Sequence, residues 1–429
     1  MALYLRTTMK FTNILIWVTV LVFGANVAMA DSSSTNSPSS DEQQMRALKT
    51  AVDEAAAISD AATNDPGHKL WRNYRRLSET NLSQIFELAK NNPTSATSFE
   101  MLSWIVGNDM AGNGMAERGH FLTNRLGSLE LLAKYQATNA AVGPLCAFIG
   151  HSWVWRWRDQ PVVDFLQEVA KENPGRANRA QAIFSLGSVN AFKAKELAEL
   201  ENWGDAPFYA ANLGVNKTNH LAELKKENSK SATAVAEQQL QDVIAHYADC
   251  RDLRPRANKE RPLLKEQAQA ELFELLHLSI GDVAPEIEGE GVDGKQFKLS
   301  DSRGKITVLS FWASWCVPCM QLVPAEHALA ERLKDQPFTF IGVNGDAILP
   351  DAKRAMAHEQ MTWPSFWNGK GGSEGPISSA WNVHGWPTVY VIDANGILRL
   401  KFEGYGPQTS NQLNGSVDIL MKELASRQK

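Results

Sequence analysis

The sequence predicts two architectures in one chain: an all-α region over residues 45–277 and an α/β domain over residues 280–429. Three observations predict this. Between 45 and 277, apolar residues recur at helical spacing, loop residues interrupt them, and no run reads convincingly as a strand. After Gly281 the pattern changes to short β-branched and aromatic runs that alternate with helical stretches, as in β-α-β units. One of these runs, Ile306 to Trp312, leads into Cys316-Val317-Pro318-Cys319, and residues 320–333 then read as a helix.

From the front, Arg6 and Lys10 precede an apolar stretch over residues 11–25, and Ala28-Met29-Ala30 places small residues where a signal peptidase reads. The expectation is a secretory signal over residues 1–30, cleaved after Ala30. The apolar core falls short of the roughly 20 residues a spanning helix needs. No cysteine near Ala30 offers a lipid attachment point. The expected location is therefore outside the cytoplasm, in the periplasm, and soluble after cleavage. Residues 31–44 are Ser, Asn, Asp and Pro with almost nothing apolar, and read as a flexible leader.

A net charge of -5 without any basic block gives no footing for nucleic acid. Four cysteines in so long a chain exclude a disulfide-dense scaffold.

In the helical region the candidate helices are residues 45–62, 77–90, 98–105, 121–135, 162–171, 177–200, 232–247 and 262–276. Pro262 is placed in the first turn of the last, where a missing N–H costs nothing. Residues 86–93 and 166–174 echo each other, each a helical stretch ending in Asn-Pro. Two readings stand: degenerate helical repeats that hold a partner protein, or an irregular helical domain. Trp153, Trp155 and Trp157, interleaved with Arg156 and Arg158, fit a partner surface or internal packing. Cys146 and Cys250 are either bridged or buried free thiols. His120 and His151 lack ligand-spaced companions and read as ordinary.

In the second region, Asp293-Gly294 signals a hairpin. Strands are expected over residues 306–312, 338–344, 389–392 and 398–402, and helices over 320–333, 351–360 and 417–425. The result is a mixed sheet covered on both faces.

Cysteines at i and i+3 on a first helical turn lie close enough to bridge. Cys316 falls at the helix N-terminus, where unpaired N–H groups and the dipole favour a thiolate, so it is the expected attacking thiol. Cys319, one turn in and expected to be the more buried, resolves the mixed disulfide. Pro318 stiffens the turn and donates no N–H. Pro387, after Gly385-Trp386 and before a strand, suits a cis bond in a tight turn that leaves the Trp386 backbone free to pair with an extended substrate. Trp315 flanks Cys316 and can shield it or contact a partner.

These residues carry a resemblance. Residues 281–285, 311–319, Pro324, 385–388 and 393–396 resemble the thioredoxin superfamily, and within it the exported TlpA/ResA-like thiol-disulfide oxidoreductases, also grouped with AhpC/TSA-type redoxins. The resemblance covers about one third of the chain. It implies a thioredoxin-like fold, no cofactor and no bound metal. It implies protein thiols and disulfides as substrates, a membrane or exported dithiol as electron partner, and reduction of selected exported disulfides, including in cytochrome c maturation. Two departures stand out. Ser310 occupies the place of the buried aspartate of thioredoxins, and Leu322 the place of a glutamate in ResA-like proteins; Glu326 is a distant carboxylate that could take the proton. The competing functions are a helical scaffold with an accessory redoxin, and a dithiol oxidase that donates disulfides. Zinc binding, which needs four ligands, a purely structural disulfide and a peroxidase fit the motif less well.

Overall fold

The computed structural model describes residues 39–61, 69–107, 120–151, 160–203, 226–255, 260–406 and 408–427. The signal segment, residues 31–38 of the leader and the Trp153, Trp155, Trp157 stretch lie outside the described residues. The chain forms two compact units. One runs up to Val189 and includes Gln238–Ala268; the other comprises Asn190–Glu237 and Gln269–Lys429.

The first unit is helical among the described residues. It is built from α1 (Ser40–Ala61), α2 (Lys69–Asn91), α3 (Ala96–Gly107), α4 (His120–Gln136), α5 (Gly143–His151), α6 (Gln160–Glu172), and parts of α7 (Arg176–Trp203), α8 (Ser229–His246) and α9 (Leu264–His277). Its core follows the helical period. Leu82, Ile85 and Ala89 of α2, Met101, Leu102 and Ile105 of α3, and Phe165, Leu166 and Val169 of α6 are fully buried in one cluster. The helix α2 stops two residues before Pro93, which disfavours helical geometry in the residue it follows.

The two Asn-Pro turns differ in their work. Asn173 is buried, and its amide donates to the carbonyls of Ala137 and Asn139 at 2.7 and 3.0 Å. Asn92 is exposed and supports only its own turn.

Several expectations require correction. Residues 40–44, assigned to the leader on composition, are helical, because α1 starts at Ser40 and continues the Ala-rich stretch. Pro262 lies outside α9; its carbonyl accepts from Asp252 N–H in a small bridge between residues 251 and 263. Of the two readings for Cys146 and Cys250, the structure bears out the second: both are free and buried. The helix α5 was not foreseen, because it is apolar nearly all round and carries no periodic signal.

The second unit is organised on a five-stranded sheet of order β5-β4-β3-β6-β7. Here β3 is Ile306–Trp312, β4 Phe338–Asn344, β5 Ser365–Trp367, β6 Thr388–Ile392 and β7 Leu398–Glu403. Strands β3, β4 and β5 are parallel, β6 is antiparallel to β3, and β7 is antiparallel to β6. A preceding hairpin joins β1 (Glu288–Glu290) to β2 (Gln296–Lys298), and its turn holds Gly294 at φ +90°, a conformation glycine adopts freely. The helices are α10 (Val317–Arg332), α11 (Leu349–His358), the short α12 (Pro376–Ala380) and α13 (Thr409–Arg427).

Strand alternation sends Ile306, Val308 and Trp312 into one apolar layer, with α10 and α13, and Leu309 and Phe311 into the other. The first layer also takes in Ala191, Ala194, Leu197, Leu200 and Trp203 of α7. Strand β5 and helix α12 are too short for a periodic signal. The front of α13, Thr-Ser-Asn-Gln-Leu-Asn-Gly-Ser, is polar enough that only residues 417–425 read as helix.

Strand β7 is an edge, and an edge presents unpaired backbone groups. Residues 281–284 run along its first half: Gly281 N–H donates to Leu398 O, and Leu398 N–H to Asp282 O. Arg399 is the extra residue of a bulge against β6. Its carbonyl accepts the indole N–H of Trp203, and its guanidinium lies 5.3 Å over that ring.

Candidate active site

Strand β3 is buried along its whole length and delivers the chain to the top of the sheet. There the Ala313-Ser314-Trp315 loop is tied to the end of β4. Gly345 N–H donates to Trp312 O, and Ser314 donates to the Asp346 carboxylate through its N–H at 3.0 Å and its hydroxyl at 2.7 Å. The Asn344 amide completes the carboxylate's partners at 2.7 Å. Trp367 of β5 donates its indole N–H to Asp346 O.

Held in this way, Cys316 is the N-cap of α10. Its sulfur accepts the Cys319 N–H at 3.2 Å, so the thiol position is wired to the helix start. Val317 and Pro318 form the first turn, where the missing proline N–H is tolerated. Cys316 and Cys319 form a disulfide, with Cα atoms 5.3 Å apart. In this oxidised state the cysteines are 3% and 2% exposed, so burial does not separate them as expected. The exposed side chains are their neighbours: Trp315 at 55% and Val317 at 63%.

The second wall comes from the loop before β6. The register pairs Phe311 with Thr388 and so sets Pro387 beside the end of β3. The Trp386–Pro387 peptide is cis. Thr388 hydroxyl donates to Gly385 O and Gly404 N–H to Pro387 O, which fixes both sides of the turn. The rings of Trp386 and Trp315 meet edge to face at 5.8 Å. Gly345 makes room for the Trp386 ring: a Cβ there would sit 2.5 Å from it. Trp386 N–H and C=O make no hydrogen bond with another described residue. Sequence reasoning thus named Trp315, Cys316, Pro318, Cys319, Trp386 and Pro387, and the structure brings all six together.

Beneath the disulfide, Ser310 lies on the same face of β3 as Val308 and Trp312. Its hydroxyl donates to Glu326 at 2.9 Å. Burial pushes the Glu326 carboxyl up to about 7, against the lowering effect of that hydrogen bond. Glu326 is seven residues after Cys319, two turns along α10, so both face the layer against β3 at a spacing of roughly 10 Å. Leu322, also buried, fills the position between them. The two departures noted in the sequence therefore form one arrangement, in which Ser310 cannot ionise and instead holds the carboxyl of Glu326.

Asp346 was missed by sequence reasoning. The signal was present in Asn344-Gly345-Asp346, polar residues closing an apolar strand. A separate cavity of about 270 Å³, lined by Val283, Glu286, Ser300, Arg303 and Asp393, does not include the cysteines.

Residues 280–401 match the AhpC/TSA family. The thioredoxin-like protein YneN of Bacillus subtilis (strain 168) is 30% identical over 122 residues, which span 28% of this chain and 68% of that protein. A thiol-disulfide oxidoreductase ResA of Bacillus cereus is 29% identical over 138 residues, 32% of this chain and 76% of that one. A solved structure of a thiol:disulfide interchange protein of the thioredoxin family from Chlorobium tepidum TLS is 27% identical, covers 33% of this chain and 97% of that chain, and gives a TM-score of 0.29. The Cys316–Cys319 pair is a dithiol/disulfide exchange centre, and the protein is an enzyme of thiol–disulfide exchange. Its C-terminal domain belongs to the thioredoxin/AhpC-TSA superfamily, is related to the ResA-type thiol-disulfide oxidoreductases and is fused to an N-terminal helical region.

Proposed function

We propose that the protein is an exported reductase of protein disulfides, acting through Cys316 and Cys319. The observation that carries the reading is the placement of the pair: Cys316 caps α10, and its sulfur accepts a helix N–H that favours the thiolate. The Cys316 thiolate attacks a substrate disulfide, forms a mixed disulfide and releases one substrate thiolate. Cys319, as thiolate, then attacks the Cys316 sulfur, forms the Cys316–Cys319 bond and releases the second. Two electrons pass to the substrate, and the protons of the two enzyme thiols end on the two substrate thiols. Pro318 stiffens the first turn. Trp315 and Trp386 offer apolar contact to the substrate chain, and the free Trp386 backbone beside Pro387 offers it hydrogen bonds.

A second dithiol must then reduce the pair; a membrane or exported carrier fits an exported reductase. Export rests on residues 1–30, and no described helix is long and apolar enough to cross a membrane. The domain division proposed is a signal over 1–30, a leader, a helical region to 277 and the redox domain from 280. The helical region is a candidate for holding a partner protein.

The reduction potential of the pair tests the direction. Glutathione or dithiothreitol buffers set the poise, and Trp315 fluorescence reads it. A value near about −270 mV, like thioredoxin, is expected; one near about −120 mV would make the protein a disulfide donor. Thiol trapping tests the roles: Cys319→Ser accumulates a mixed disulfide with substrate, and Cys316→Ser does not.

A further inference from the structure

Glu274 lies in α9, outside the residues that match the family, yet its carboxylate reaches both flanks of the Trp386–Pro387 turn. One oxygen accepts from Lys195 of α7 and from Lys401 of β7, each at 2.9 Å. The other accepts from the Asn382 amide at 2.9 Å. Its side chain is 12% exposed.

From Glu274 two arms run to the turn. Through Asn382, the amide oxygen accepts the ring N–H of His384 at 2.8 Å, and His384 immediately precedes Gly385-Trp386-Pro387. Asn382 has φ +48°, a left-handed conformation that asparagine tolerates, so its side chain is presented from a fixed corner. Through Lys401, the ammonium also pairs with Glu403 at 2.9 Å. Glu403 is the register partner of Thr388, and its carboxylate lies 3.6 Å from the Cβ position of Gly385. Gly404 then donates to Pro387 O.

We propose that Glu274 is a positioning residue for the substrate-docking turn: by gripping Asn382 and Lys401 it fixes Gly385–Pro387 in the geometry that receives a polypeptide. The proposal rests on the disulfide-reductase reading and deepens it. Extended substrates need the turn's backbone and the Trp386 ring, whereas a small disulfide needs only the Cys316 sulfur. Preorganisation of the turn therefore lowers the ordering cost for protein substrates alone. Glu274 touches neither sulfur, so the potential of the pair is set without it.

The test compares the full chain with Glu274→Gln and Asn382→Gly. Asn382→Gly keeps the left-handed backbone and deletes only the link. Three readouts are taken: kcat/KM for insulin disulfide reduction, the reaction rate of the reduced enzyme with 5,5′-dithiobis(2-nitrobenzoate), and the reduction potential. The expected result is an approximately tenfold loss in kcat/KM on insulin, mainly through KM. The small-disulfide rate and the potential stay at the wild-type values. Equal losses on both substrates, or no loss on either, overturn the proposal, as does a lower melting temperature with an unchanged ratio of the two activities. A wild-type chain that reduces neither substrate overturns the reductase reading instead, so the two failures are distinguishable.

Discussion

Glu326 and Glu274 are both acidic side chains taken out of water in the same unit, yet only Glu274 meets a cation. Glu326 sits in the apolar layer under the disulfide with one neutral partner, the Ser310 hydroxyl, and its carboxyl is pushed up to about 7. At Glu274 burial pushes in the same direction, but Lys195 and Lys401 together outweigh it and hold the carboxyl well below the usual range. Burial alone therefore does not fix a charge state; the partners do. The difference also separates two kinds of work. A carboxyl that titrates near neutrality can exchange a proton in the layer shared with the thiols. A carboxylate ionised at every ordinary pH can serve as a fixed anchor.

The largest effect should come from removing the anchor entirely. Glu274→Leu leaves Lys195 and Lys401 without the carboxylate that both share. Breaking a buried pair from one side costs about 3 kcal/mol or more, because the uncompensated charge stays behind. Lys401 keeps Glu403 at 2.9 Å and Lys195 keeps Glu271 at 3.6 Å, and the two lysines are 16% and 25% exposed, so the remaining carboxylates and water hold the expected loss to the lower end, about 3 kcal/mol. Urea unfolding at neutral pH measures it. A loss below about 1 kcal/mol would put the cluster with surface pairs and erase the contrast with Glu326.

The pH dependence of stability sharpens the same contrast, because the two groups act in opposite directions. The folded Glu326 keeps its proton between its ordinary value of 4.5 and about 7, whereas the unfolded carboxyl has lost it. Its contribution is therefore complete below pH 4.5 and is lost as pH rises through 7. At 1.36 kcal/mol per pKa unit, the loss is on the order of 3 kcal/mol. Glu274 acts in reverse: its contribution is present above 4.5 and lost as pH falls. Unfolding curves of oxidised wild type and Glu326→Gln at pH 5 and 8 isolate the Glu326 part. Glu199, half-buried and pushed up to about 8 by desolvation, declines over the same window in both proteins and cancels in the comparison. Equal slopes in the two proteins would mean that Glu326 is already ionised at pH 5, and would remove it as a proton-exchanging group.

How much of this was legible in the sequence depends on how local the cause is. Strand β3, the Cys-x-x-Cys turn and the hairpin at Gly294 are set by consecutive residues, and their boundaries were readable almost to the residue. The helices were found wherever one face is apolar, and α5 was missed where all faces are. Glu326 was visible only as a distant carboxylate; what makes it matter, the Ser310 hydroxyl across the layer, is a pairing sixteen residues apart. Glu274 gave no local signal at all. It sits in a helix rich in glutamate, and its partners Lys195, Asn382 and Lys401 are brought to it only by the fold. The Cys146 and Cys250 alternative was settled only by tertiary placement, for the same reason.

Asp346 is a third buried carboxylate, 3% exposed and held by neutral donors alone, yet donors in number. Ser314 gives it an N–H and a hydroxyl, and Asn344 gives it an amide, so desolvation is offset by hydrogen bonds and not by a cation. Asp346→Ala should cost less than losing Glu274, about 1–2 kcal/mol: the orphaned Ser314 donors belong to an exposed residue and can turn to water, and only the buried Asn344 amide is left without its partner. Its functional effect should exceed that cost. Ser314 is two residues before Cys316, and the 313–315 loop is what brings the sulfur to the helix N-terminus. Loosening the loop weakens the Cys319 N–H to sulfur contact and raises the Cys316 thiol pKa, which the pH profile of iodoacetamide alkylation of the reduced protein reads directly. Asp346→Asn, which keeps acceptor geometry on one oxygen, should fall between wild type and Asp346→Ala in both measurements. If the alkylation profile stays fixed while stability drops, the carboxylate only braces the β4 end, and the thiolate is set by the helix terminus alone.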